Sequence, residues 1–130
     1  MGSYEISLAR QFSMVFDKLE SELLGLTGGT VIVCIRNDVI GKFGVKHDAL
    51  ESQNGVIKPL RQGLMKRHVA EFRQTAMEAL KHKKQWTHGE IVFDFAMKQD
   101  ILLISTWFES NYNLIHMLEK PEARTYRRVS

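Results

Sequence analysis

Histidine, cysteine and a lysine-rich run beside a tryptophan are the side chains here whose chemistry goes beyond packing. The run "ALKHKKQWTHGE", residues 79–90, has the composition of a grip on phosphate: cations to neutralise charge and an aromatic ring to stack on a base. On a helix drawn at 100° per residue, Lys66, Arg73 and Lys84 share a row, with Arg67 and Lys81 to one side. Together with Lys83 and Trp86 they form a candidate anion- or partner-binding edge. The competing reading is structural: cations near a helix C-terminus offset the macrodipole by roughly 0.3–1 kcal/mol, and Trp86 packs over the helix end.

The other reactive types are arranged less suggestively. His47, His68, His82, His88 and His116 show neither the i, i+4 pairing nor the second cysteine common in zinc sites, so no metal or other cofactor is expected. His68 sits beside an apolar stripe and reads as a partly buried structural histidine. Cys34, between Val33 and Ile35, reads as a small core residue rather than a nucleophile. Asp94 lies between Phe93 and Phe95, where strand alternation sends it to solvent or to a cation such as Lys42. "GLTGG" joins a helix to a strand, the reverse of the direction that aims helix N–H groups at phosphate. Ser105 and Ser110 lack a nucleophile-elbow context. No catalytic set emerges, and a non-enzymatic role is expected.

The elements that must position these residues follow from periodicity. Leu8, Phe12, Val15, Phe16, Leu19 and Leu23 recur every three or four positions and predict a helix over residues 4–24, stopped by Gly25. "TVIVCIR" and "VIGKFGV" predict a hairpin turned at Asn37-Asp38, with Ile32 opposite Phe43 and Cys34 opposite Gly41 on a core face. In the same register Ile35 meets Ile40 and Val33 meets Lys42 on the other face. Asp48 and Glu51 resemble a capping box that starts a short helix ended by "QNG". A long helix is expected from Pro59 to about Gln85, with Met65, Val69, Phe72, Ala76, Ala79 and Leu80 on its stripe. A second hairpin, "GEIVFDFAM" and "ILLISTWF", turns at "KQD", and "YNLIHMLEK" predicts a terminal short helix.

The expected fold is therefore α+β: an antiparallel four-stranded sheet built from two hairpins, order α-ββ-α-α-ββ(-α), with helices packed on one face. Residues 1–118 form a single domain, and 119–130 form a mobile basic C-terminal tail. Because the second hairpin is apolar on both alternations, the other sheet face is expected to be covered by the C-terminal segment or by a second subunit, most economically in a homodimer. The formal charge of the 130 residues is only +3, but eight of the 18 basic residues fall between Lys58 and His88 against two of the 15 acidic ones. No apolar run reaches the roughly 20 residues that span a bilayer. A lone cysteine and the absence of a signal peptide point to the reducing cytoplasm.

"LESELLGLTGGTVIVCIRNDVIGKFGV", "LRQGLMKRHVAEFRQTAMEAL" and "GEIVFDFAMKQDILLISTWF" together resemble the MpsC-like family, small cytosolic domains associated with Na⁺-translocating, membrane-potential-generating systems. The resemblance covers about residues 8–109 and lies in the pattern: a helix ending in "LLG", a hairpin turn carrying Asp38, a second strand passing through Gly44 and an arginine-bearing helix. "KHDALESQNG" departs from the Thr-Pro start that the family pattern has for the connecting helix, and "RTYRR" lies outside the match. The resemblance implies a peripheral accessory protein beside membrane subunits that move ions or inorganic carbon. It transfers no catalytic or ligand residue.

Three functional classes follow. The first is an accessory or regulatory interaction domain, dimeric and cytoplasmic, docking on a membrane complex or another protein. The second is a nucleic-acid-binding module that uses Lys66, Arg67, Arg73, Lys81, Lys83, Lys84 and Trp86. The third is a small-molecule sensor with a pocket between helix and sheet near Cys34, Phe43 and Trp107.

Overall fold

A computed structural model describes residues 6–83 and 87–118 and gives an α+β architecture. Helix α1 (Leu8–Leu23) starts at Ser7, whose hydroxyl accepts the Arg10 N–H at 3.2 Å. Its stripe Phe12, Val15, Phe16, Leu19 and Leu23 is buried as the 3.6-residue period requires. The helix ends where Gly25 takes φ +87°, a conformation that glycine adopts without a Cβ penalty.

Strands β1 (Gly28–Arg36) and β2 (Val39–His47) form the first hairpin, and β5 (His88–Lys98) and β6 (Ile101–Ser110) the second, after the small strands β3 (Ser52–Gln53) and β4 (Val56–Ile57). Both large hairpins turn through two left-handed residues, Asn37-Asp38 and Gln99-Asp100, whose twist matches that of the strands. The two hairpins join along β1 and β5 into one antiparallel sheet ordered β2-β1-β5-β6.

Helix α2 (Lys66–Leu80) packs beside α1 on one face of this sheet. Phe72 is the centre of the core, with its ring centroid 5.1 Å from Phe16, 5.6 Å from Phe93 and 5.1 Å from Phe95. Each fully buried aromatic contributes roughly 1.5–3 kcal/mol of hydrophobic stabilisation, so this cluster, with Phe12 against Phe93, fixes the helices to the sheet. The short α3 (Leu114–Leu118) follows β6, as expected from "YNLIHMLEK".

Three expectations are corrected. Residues 48–51 do not start a helix: the chain passes without regular structure into β3 and turns back through Asn54 (φ +54°) and Gly55 (φ +79°) to β4. Asn-Gly is a hairpin turn of its own, and no apolar stripe was present to stabilise a short helix there. The long helix is shorter than expected because residues 59–64 are not helical and it starts only at Lys66, and its expected end near Gln85 lies outside the described residues. At Gly63 the backbone crosses Gly25 so closely that any side chain would strike the Gly25 carbonyl, while the Gly25 N–H donates to the Leu64 carbonyl at 2.8 Å and the Leu64 N–H to the Leu26 carbonyl at 2.9 Å across the crossing. Finally, β1 and β2 keep the Ile35–Ile40 pair but slip beyond it, so Val33 faces Phe43 and Ile32 faces Gly44. A bulge opposite Cys34 takes up the extra residue. The core face is accordingly Val31, Val33 and Ile35, not Ile32 and Cys34.

Candidate docking face

Alternation along the strands divides the sheet into a covered and an uncovered side. Gly89, Ile91, Phe93, Phe95 and Met97 of β5 are buried beneath the helices, and the intervening residues face outward. On β6 every outward residue, from Ile101 through Leu103, Ser105 and Trp107 to Glu109, is exposed. Among the described residues the only helix that reaches this side is α3, whose first residue Leu114 borders it at the Cys34 end. Ile101, Leu103 and Trp107 are 60%, 48% and 48% exposed on one strand, a density of large apolar side chains unusual for a face that meets only water.

The registers order this face into rows. Gly44, Ile32, Val92 and Trp107 make one continuous row across all four strands, with Val92 only 8% exposed between its neighbours. In the next row on one side, Lys46, Thr30, Asp94 and Ser105 stand together, and the Thr30 hydroxyl donates to the Asp94 carboxylate at 2.8 Å. Asp94 thus reaches the surface, and Thr30 is its bonded partner. On the other side Cys34, Glu90 and Glu109 align, with Lys42 beyond them in the bulge. Here Cys34, Arg36, Lys42, His88, Glu90 and Tyr112 line an open cleft of about 720 Å³, in which Arg36 Nε donates to His88 Nε2 at 3.0 Å.

The pocket expected at Cys34, Phe43 and Trp107 is not assembled. Cys34 and Trp107 share the open face two strands apart, whereas the bulge turns Phe43 to the helix side, where it lines an apolar groove of about 340 Å³ with Val15, Met14 and Ile40. The expected continuous basic edge is also broken up among the described residues. Arg67 reaches across to Asp100 in the β5–β6 turn, while Arg73 donates to the Ser13 hydroxyl and to Asp17, both at 2.8 Å, on α1. Lys66 opens α2, exposed. Lys81 is the C-cap, 3.1 Å from Glu78, and Lys83 follows the helix end. Lys84 and Trp86 lie outside the described residues, as do residues 119–130 of the expected tail.

Sequence reasoning missed the cluster at the start of α2. His68 is fully buried: its Nδ1 accepts the Met65 N–H at 2.9 Å, so its Nε2–H faces the Asp100 carbonyl at 3.2 Å. The Asp100 carboxyl is held below the ordinary carboxylate range by its hydrogen bond from Arg67, and the same bond holds the guanidinium above its usual value. Gln62 donates to the same carboxylate at 3.1 Å. The visible signal was a histidine three residues after a helix start, where a side-chain acceptor can reach the N-cap N–H. The cluster fastens the β5–β6 turn to α2. Among the described residues no three His, Cys, Asp or Glu side chains converge as a metal site would require, and no helix is long and apolar enough to cross a membrane.

No family model matches the chain, and no curated protein or solved structure matches it.

Proposed function

We propose that this chain is a non-enzymatic accessory domain that works by docking through the open face of its sheet. The supporting observation is the row Ile32–Val92–Trp107, apolar and uncovered among the described residues, on a sheet whose other side already supplies a complete core. Such a surface costs solubility unless a partner removes it from water. The resemblance to MpsC-like domains directs the reading to a place beside membrane subunits that move ions or inorganic carbon. A nucleic-acid role draws less support, because Arg67 and Arg73 are already committed to Asp100 and Asp17.

A photo-crosslinking residue placed at Ser105, on the open face, or at Glu71, exposed on α2, tests the reading in native membrane and soluble fractions. Adducts from Ser105 that disappear in Trp107→Lys, with none from Glu71, are expected. Adducts from Glu71 alone would overturn it.

A further inference from the structure

We propose that the occupant of the open face is a second copy of this chain, related by a two-fold axis that runs parallel to the strands between β1 and β5. The inference rests on the reading of that face as a docking surface and names what docks. Rotation about this axis lays β2 of one copy over β6 of the other and β1 over β5, with each row kept at its own level.

Shape is the first reason. In the central row Trp107 of one copy then falls on Gly44 of the other, and Ile32 falls on Val92. A Cβ added at Gly44 would meet nothing within 4 Å, and its backbone is outside the left-handed region, so neither the chain's own packing nor its backbone conformation requires glycine there. An indole arriving from outside does require it. Facing sheets pack about 10 Å apart, which leaves room for one large side chain opposite none.

Charge is the second reason, and it selects the axis. The β1–β2 half of the face carries Arg36, Lys42 and Lys46, and the β5–β6 half carries Glu90, Asp94 and Glu109. The rotation sets Lys42 against Glu109 and Lys46 beside Asp94, twice each. At the far end the signs reverse, with the Asp48 carboxylate over Gly28 and Lys98 on β5, and the same rotation opposes these two. A two-fold axis across the strands would instead lay β2 on β2, lysine on lysine.

Sedimentation equilibrium of the full chain, wild type and Gly44→Leu, is the first test, with circular dichroism confirming that the variant folds. The wild type is expected to dimerise, and the leucine, filling the slot, to weaken the dimer roughly 30-fold or more, the effect of losing a hot-spot contact. The second test is Lys42→Cys with Glu109→Cys in a Cys34→Ser background. Within one chain these positions lie on opposite edge strands, roughly 14 Å apart at the usual strand spacing, whereas across the proposed interface the two side chains point at each other over about 10 Å. A short bismaleimide cross-linker, which spans the second gap and not the first, is therefore expected to yield covalent dimers. A wild type that stays monomeric at millimolar concentration, or a dimer indifferent to Gly44→Leu and not trapped by the cysteine pair, would overturn the inference. If the Ser105 probe then still captures a different protein, the docking face stands and only its occupant is wrong; if it captures nothing, both fall.

Discussion

Replacing His68 isolates the cluster that ties the β5–β6 turn to α2. The side chain is fully buried and makes two hydrogen bonds, to the Met65 N–H at 2.9 Å and the Asp100 carbonyl at 3.2 Å. His68→Leu keeps most of the volume and leaves both backbone groups without a protein partner. Loss of a buried partner costs about 1–3 kcal/mol. Met65 is half exposed and water can reach its end of the cluster, so the lower bound applies, about 1 kcal/mol for each bond and about 2 kcal/mol together. With a urea m-value of about 2 kcal/mol/M for a domain of this size, the midpoint should fall by about 1 M. His68→Gln is the informative companion, because a glutamine three residues into a helix is the usual acceptor for the N-cap N–H. It should recover about half of the loss. A leucine variant within about 0.5 kcal/mol of wild type, or a glutamine no better than leucine, would refute the assignment of these bonds as the source of the stability.

Two other outcomes follow from the geometry. Gly63→Ala should destabilise by about 1–3 kcal/mol, as overpacking does, because the added methyl meets the Gly25 backbone rather than a movable side chain; thermal unfolding reads it directly. The Asp100 carboxyl, lowered by Arg67, contributes stability that is present above the unfolded carboxylate range and is lost as pH falls through the depressed folded value. Arg67→Gln should therefore flatten the acid limb of a stability-versus-pH curve while leaving its neutral and mildly alkaline region parallel to wild type; an unchanged acid limb would show that the pair carries no such linkage.

Much of the fold was legible because local chemistry and tertiary packing agree. The stripe from Leu8 to Leu23, the stop at Gly25 and the turn at Asn37-Asp38 each have a cause within a few residues, and each lies where its cause places it. The misreadings share a different origin. Val31, Val33 and Ile35 alternate with Ile32 and Cys34, apolar on both sides, so composition did not say which set faces the helices. The bulge opposite Cys34 then displaced the outer part of the register by one residue, and a one-residue slip exchanges faces. Asp48 and Glu51 fit a capping box in spacing alone, but three residues after Glu51, Asn54-Gly55 supplied a stronger local preference for a turn.

The docking face was less legible, because its residues belong to no single segment. Gly44 and Trp107 meet in one row only through three successive pairings, and the middle one, β1 with β5, joins strands far apart in the chain. Each hairpin register is set by its own turn, but nothing local sets the register between the hairpins. What sets it is the core. Val31 must lie opposite Phe93 and Val33 opposite Ile91 for Phe72 to find both Phe93 and Phe95 beneath it. A shift of one residue there would send Phe93 outward and bury Asp94, at a cost of several kcal/mol for the unpaired carboxylate alone. The packing on the helix side therefore dictates the row on the open side, and the alignment of Ile32, Val92 and Trp107 is as firmly specified as the core beneath it.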